Sequence, residues 1–439
     1  MRALWAGLCG LLAAAAWPAA AVPIQSWEEG GARVLFLAAP ELPMVDLRVV
    51  FAAGSAYDGE RPGLAWLSNR MLGVAAGPWD ADAFAERLDA LGLRHVAGVD
   101  RDMAYVGLRS LSDPAHLGPA AALLRTVLSR PRLDPDDLAR EKQRLRSQIE
   151  ALREQPDAVA SEALYRQLYG AHPYARPPWG EAEAIEALDA EALRGFLARH
   201  YVRANAVLVL VGDLDRRRAE SLARSVLGAL PRGTAAPPVP RASGACRPPR
   251  EFVSMSTTQT HIAVGQMIGL APDDPDRLAL LVANHVLGGS GFASRILQTL
   301  REAHGLAYSA YSRLEPLAGG GAFFAAVETR NETAAKAAAL LDETIARFVA
   351  EGPSEDEFRR AVANLTGGFA LSIDSNAELA AQLAYIGFYR LPLDTLDTFV
   401  ARVQALDRAQ VHEALRRRLD PQRLCRVQAG GFWAVQPAP

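Results

Sequence analysis

Lysine is almost missing from this chain: Lys142 and Lys336 are the only two among 47 basic residues. We read the arginine bias as the mark of a GC-rich genome. The formal net charge is only −3 at pH 7, which supplies no basic surface for nucleic acid. Beyond the N-terminus no apolar run reaches membrane-spanning length, so stable membrane insertion is not expected. Cysteine is scarce. Cys9 lies in the N-terminal apolar run, and Cys246 and Cys425 follow without paired spacing, which is not a zinc-site pattern. Whether those two join or stay as thiols is open at this level. The eight histidines are scattered, and no two stand four residues apart. That excludes the helix-borne pair with which many hydrolases hold zinc.

What is present is a globular composition, 50% hydrophobic and 22% charged, over 439 residues, enough for two or three domains. Arg2, the run LWAGLCGLLAAAAW and the small-residue stretch PAAAV form the three zones of a secretory signal peptide over residues 1–21, cut near Ala21. Leu8 before Cys9 is too large for a lipoprotein site. A periplasmic or secreted protein is expected.

Residues 231–250 are rich in Pro, Gly, Ala and Arg and read as a linker between residues 22–230 and residues 251–439. The two parts look related. VDLRVVFAAGSAYDGERPGLAWLSNRMLG (45–73) and THIAVGQMIGLAPDDPDRLALLVANHVLG (260–288) align without a gap. They share Gly54/Gly269, Ala56/Ala271, Asp58/Asp273, Asn69/Asn284, Leu72/Leu287 and Gly73/Gly288. Each is a strand, a Gly-Asp loop and an apolar-periodic helix, which points to an internal duplication. Strands are expected at 32–39, 45–54, 102–111 and 205–215, then near 260–268, 306–314, 320–328 and at the C-terminal RLCRVQAG. Helical periodicity fills the stretches 80–92, 114–129, 134–155 and about 332–417. The elements group rather than alternate, so the class is α+β: in each part, helices pack on one face of a mainly antiparallel sheet.

Gly63-Leu64-Ala65 and Met71-Leu72 frame a helix that resembles the zinc helix of the pitrilysin, insulinase and mitochondrial-processing-peptidase family, the inverted zincins. The resemblance implies two homologous α/β-sandwich domains of the LuxS/processing-peptidase-like metallohydrolase fold. Active members carry H-x-x-E-H there and a further Glu on a later helix. In this chain Trp66 and Arg70 occupy the His positions and Asn69 the Glu position. On the later helix Glu141 matches the family's first Glu, and Gln148 stands where the zinc-binding Glu belongs. Glu150 could serve only if the register slipped by two. Indole and guanidinium offer zinc no lone pair, and an amide is no general base. No metal is expected on this chain. His172, in a loop where the family often has His-Pro, is expected to be structural or solvated.

The string LGGSGFASRILQTLREAHGLAYSAYS (287–312) resembles the family's C-terminal signature. There an Arg and a Tyr seven residues apart bind the substrate backbone beside the zinc. Arg301 and Tyr308 have that spacing. Both are good donors for a carbonyl oxygen gaining charge. The alternative is plain: Arg301 pairs with Glu302 or another acid, and Tyr308 is a strand residue. The resemblance thus implies the non-zinc subunit of a heterodimeric metallopeptidase, its zinc held by a homologous H-x-x-E-H partner and its substrates peptides. The alternatives are an inert structural or peptide-binding pseudopeptidase, or a peptidase with a displaced metal.

Overall fold

The computed structural model describes residues 23–244, 246 and 249–431; the expected signal peptide and its cleavage point near Ala21 lie outside them. No described helix is long and apolar enough to cross a membrane.

The first sheet holds β1 (Gln25–Glu29), β2 (Ala32–Ala38), β3 (Met44–Phe51), β4 (Arg94–Val99), β5 (Ala104–Leu111) and β6 (Ala206–Gly212) in the order β1-β2-β6-β3-β5-β4. The second holds β7 (Arg250–Ser254), β8 (Gln259–Leu270), β9 (Ala310–Glu315), β10 (Gly321–Arg330) and β11 (Cys425–Gly430) in the order β7-β11-β8-β10-β9. Apart from β1 the two orders coincide. Each contains one parallel pair, β2 with β6 and β7 with β11, and the other pairs are antiparallel. The repeat visible in sequence is therefore a repeat of topology, and the sheets are mainly antiparallel as expected.

The first part carries α1 (Leu64–Met71), α2 (Ala81–Ala90), α3 (Pro114–Ser129), α4 (Pro135–Arg153), α5 (Pro156–Tyr169), α6 (Ala182–Glu186), α7 (Ala190–His200) and α8 (Arg216–Gly228). The second carries α9 (Arg277–Asn284), α10 (Arg295–Leu297), α11 (Ala334–Glu351), α12 (Glu355–Gly368), α13 (Asn376–Phe388), α14 (Thr395–Gln404) and α15 (Arg408–Arg418). Local chemistry sets many of their ends. Asp80, Asp189 and Asp215 accept backbone N–H bonds as N-caps, and Ser354 with Glu357 forms a capping box.

Each sheet is covered on both faces, where the sequence pointed to one. In β3 and β6, Val45, Leu47, Val49, Leu208 and Leu210 face a core shared with α1, α3, α7 and α8. The alternate residues Val50, Val209 and Val211 face a second core with Ala380, Leu383, Ala384 and Ile386 of α13, which belongs to the other part of the chain. The second sheet mirrors this. Ile262, Val264, Phe323 and Ala325 face α9, α11 and α15, while Ala263, Phe324 and Val427 face Ala160, Ala163, Leu164 and Leu168 of α5. The parts thus exchange a helix. Strands buried on both faces must be apolar at every position, which is why β6 reads AVLVLVG.

The exchanged helices end alike. The Tyr169 hydroxyl donates to the Gly320 carbonyl in the β9–β10 turn (3.5 Å), and the Tyr389 hydroxyl to Asp102 in the β4–β5 turn (2.8 Å). Tyr174 joins the two turns: its hydroxyl donates to Asp102 and accepts from the Gly319 amide (2.9 Å). Cys246 and Cys425 form a disulfide with Cα atoms 5.4 Å apart, which ties the linker region to β11 and closes the question left open by their spacing.

Candidate functional site

Helix α1 begins at Gly63, whose φ of 92° is left-handed, and a side chain there would meet the Trp179 carbonyl and Gly180. The buried Asp58 carboxylate accepts from the Gly63 amide (2.8 Å) and the Ala65 amide (2.7 Å) and so fixes the start of the helix. Burial pushes its pKa up to about 7 against those two bonds. A side chain on Gly73, at the other end, would meet His95 of β4; one on Gly288 would likewise meet Ser312 of β9. The repeat keeps these glycines because the helix end abuts the edge strand in both parts.

Trp66, Asn69 and Arg70 lie together with Glu141 and Arg144 of α4 and His95 of β4 around a cleft of about 570 Å³. Gln148, two turns along α4, is exposed and not part of this lining. Asn69 is 2% exposed. Its amide nitrogen donates to the Tyr105 carbonyl (3.1 Å) and the Tyr201 hydroxyl (3.0 Å). Asn284 of the second part also donates to a strand carbonyl, that of Ser312 (3.3 Å). Both of these repeat-matched Asn residues therefore tie helix to sheet. Trp66 packs into an apolar cluster of Leu145, Ile149, Ala182, Ile185 and Trp179.

Arg70 Nε donates to Glu141 at 2.9 Å, and Arg144 bonds the other oxygen of the same carboxylate. An ion pair between α1 and α4 thus stands where a metal would link those helices. Burial and the charge of Arg70 lower the His95 pKa to about 4. Zinc does not fit this chemistry. The one buried carboxylate is bonded to two guanidiniums, and both would repel a dication. Glu150 pairs with Arg146 on the surface (2.9 Å), so the slipped register is not realised. Among the described residues no three His, Cys, Asp or Glu side chains are grouped to hold a metal. His172 is structural: Nδ1 accepts from the Tyr174 amide (3.2 Å) and Nε2 donates to the Pro240 carbonyl (2.9 Å).

Arg301 lies in the widened helical turn Gln298–Ala303, and Tyr308 in the loop leading to β9. The fold brings them together: the guanidinium carbon is 5.4 Å from the Tyr308 ring centre. It is also 4.9 Å from the ring of Phe292, in the Gly-rich turn, a partner the spacing argument missed. Glu302 approaches Arg301 at 3.7 Å, a loose contact. Tyr308 is 81% exposed and Phe292 68%, so Tyr308 is not a packed strand residue. Exposed aromatic rings next to a guanidinium offer donors and flat apolar surface to a ligand. The available signal for Phe292 was an aromatic inside GGSGFASR.

Residues 33–180 match the family model described as insulinase (peptidase family M16), and residues 187–365 match the peptidase M16 inactive domain. A solved peptidase M16 inactive domain from Pseudomonas fluorescens is 36% identical with a TM-score of 0.90, covering 94% of this chain and all of that one. A protease structure from Helicobacter pylori shares the fold at 16% identity and a TM-score of 0.82, covering 93% of this chain and 100% of that one. An uncharacterized zinc protease of Mycobacterium leprae is 28% identical over 89% of this chain and 88% of its own length. A non-peptidase homolog of Helicobacter pylori is 24% identical over 85% and 86%. With two sheets of one topology and a helix framed like the zinc helix but without its ligands, the chain belongs to the peptidase M16 family.

Proposed function

We propose that this chain is the non-zinc subunit of a periplasmic or secreted heterodimeric zinc metallopeptidase. It binds no zinc itself, and a homologous partner with H-x-x-E-H carries the metal. Arg301 and Tyr308 hold the peptide backbone and stabilise the oxygen that gains charge at the partner's metal. The observation that carries this reading is an asymmetry. The metal positions are filled by an ion pair and apolar packing, while Arg301 and Tyr308 sit side by side with Tyr308 open to solvent. A residue kept only for packing would be buried. The signal-peptide pattern supports export, and a disulfide suits an oxidising compartment.

The test is co-purification from the native host followed by a peptidase assay with and without chelator. The expected result is a homologous zinc-bearing chain and chelator-sensitive turnover. Arg301→Ala and Tyr308→Phe should each lower kcat/KM by about 10²-fold or more while the pair still assembles. Unchanged turnover in both variants would sink the shared site and leave the second reading, an inert structural or peptide-binding pseudopeptidase. Stoichiometric zinc on this chain alone would overturn both.

A further inference from the structure

The cleft bordered by α1, α2, β4 and α4 contains one carboxylate and two guanidiniums. Glu141 is 4% exposed and bonded by both, whereas the side chains of Arg70 and Arg144 are 59% and 66% exposed. One positive charge of this trio is therefore unmatched. Arg70 uses Nε and Arg144 one terminal nitrogen. Among the described residues no other hydrogen bond occupies their remaining N–H groups. His95 adds a buried Nε2 without a hydrogen-bond partner. Apart from Asn69, the rest of the lining is small, with Val74, Ala81, Ala85 and Ala97 beside the Trp66 indole. The volume of about 570 Å³ suits a ligand the size of one or two amino-acid residues.

We propose that this cleft binds a carboxylate carried on a small apolar group, as the C-terminal residue of a peptide or a short aliphatic acid is. A guanidinium's fork of donors matches a carboxylate's two oxygens. The single surplus charge matches a monoanion rather than a dianion. The apolar lining takes the side chain. Loss of the zinc ligands has on this view exchanged a cation site for an anion site on the same helices. The site stands on this chain alone, so its test is separate from that of the zinc partner.

The experiment is isothermal titration calorimetry of the full chain with acetyl-alanyl-leucine, with its C-terminal amide and with 4-methylpentanoate. The acid dipeptide should bind, and the amide at least about tenfold more weakly, since it loses the charge-assisted bonds. Arg144→Gln should weaken the acid by about tenfold. Arg359→Gln removes the same charge from an arginine outside the cleft that is 74% exposed, and should change nothing. Affinity of 4-methylpentanoate equal to that of the dipeptide assigns a free acid as ligand, and weaker affinity assigns a peptide end. Equal binding of acid and amide, no saturable binding of either, or equal effects of Arg144→Gln and Arg359→Gln would each overturn the proposal.

Discussion

The Tyr389 hydroxyl donates to Asp102 Oδ2 at 2.8 Å, joining a helix from one part of the chain to a turn in the other. Asp102 is fully buried and accepts also from the Tyr174 hydroxyl and the Ala318 amide (2.8 Å). Three donors from different segments converge on one carboxylate, so the two sheets are locked by a polar contact and not only by apolar packing. Removing one donor leaves a buried carboxyl group under-bonded. Tyr389→Phe should therefore cost about 1–3 kcal/mol, read from urea unfolding. A loss within a few tenths of a kcal/mol would mean that the contact is dispensable.

Arg390, the next residue, has φ 54°, the left-handed region disfavoured for any side chain. The matching position after α5 is Gly170, with φ 56°. The second part thus holds an arginine at a positive φ where the first part uses glycine. Arg390→Gly should raise stability by up to about 1 kcal/mol, seen as a higher Tm. A lower Tm would show that the arginine side chain contributes more than its backbone conformation costs.

Asn69 stands at the family's Glu position, yet its amide is used as a donor to Tyr105 and Tyr201. A carboxylate there would face a carbonyl oxygen in a buried site. Asn69→Asp should cost about 2–3 kcal/mol, and more at pH 8 than at pH 5, because only the charged form is repelled. An equal cost at both pH values would count against this account.

Asp58 titrates near 7 in the fold against an ordinary value of 3.8, with burial as the main cause. The folded state then holds a proton that the unfolded state has lost between those two values. Stability should fall as pH rises through that window and level off above about 7. Asp100, pushed up to about 6 mainly by burial, acts in the same direction. Asp58→Asn should flatten the slope of unfolding free energy against pH between 4 and 7, although it gives up part of the cap on α1. An unchanged slope would remove Asp58 as its source.

The replacement of the family's ligand residue types at Trp66, Asn69 and Arg70 was legible in the sequence because it is a matter of residue type. Trp66, Asn69 and Arg70 can be judged against the ligand's needs without coordinates. The spacing of Arg301 and Tyr308 was legible too, although the adjoining Phe292 was not, since stacking depends on how the Gly-rich turn folds back. The Arg70–Glu141 pair spans 71 residues, and no local pattern announces it. Gln148, assigned by register, turned out to lie outside the cleft lining.

By itself the sequence determined the grouping of strands and helices, the repeat and the residue types at Trp66, Asn69 and Arg70, because each follows from local periodicity and side-chain chemistry. Only the tertiary structure decided that α5 and α13 change places between the sheets, that Cys246 meets Cys425, and that a guanidinium pair shares one buried carboxylate. Those are contacts between segments far apart in the chain. Their partners are selected by the faces that remain uncovered once the local elements have formed, and an apolar strand reads the same whichever helix covers it.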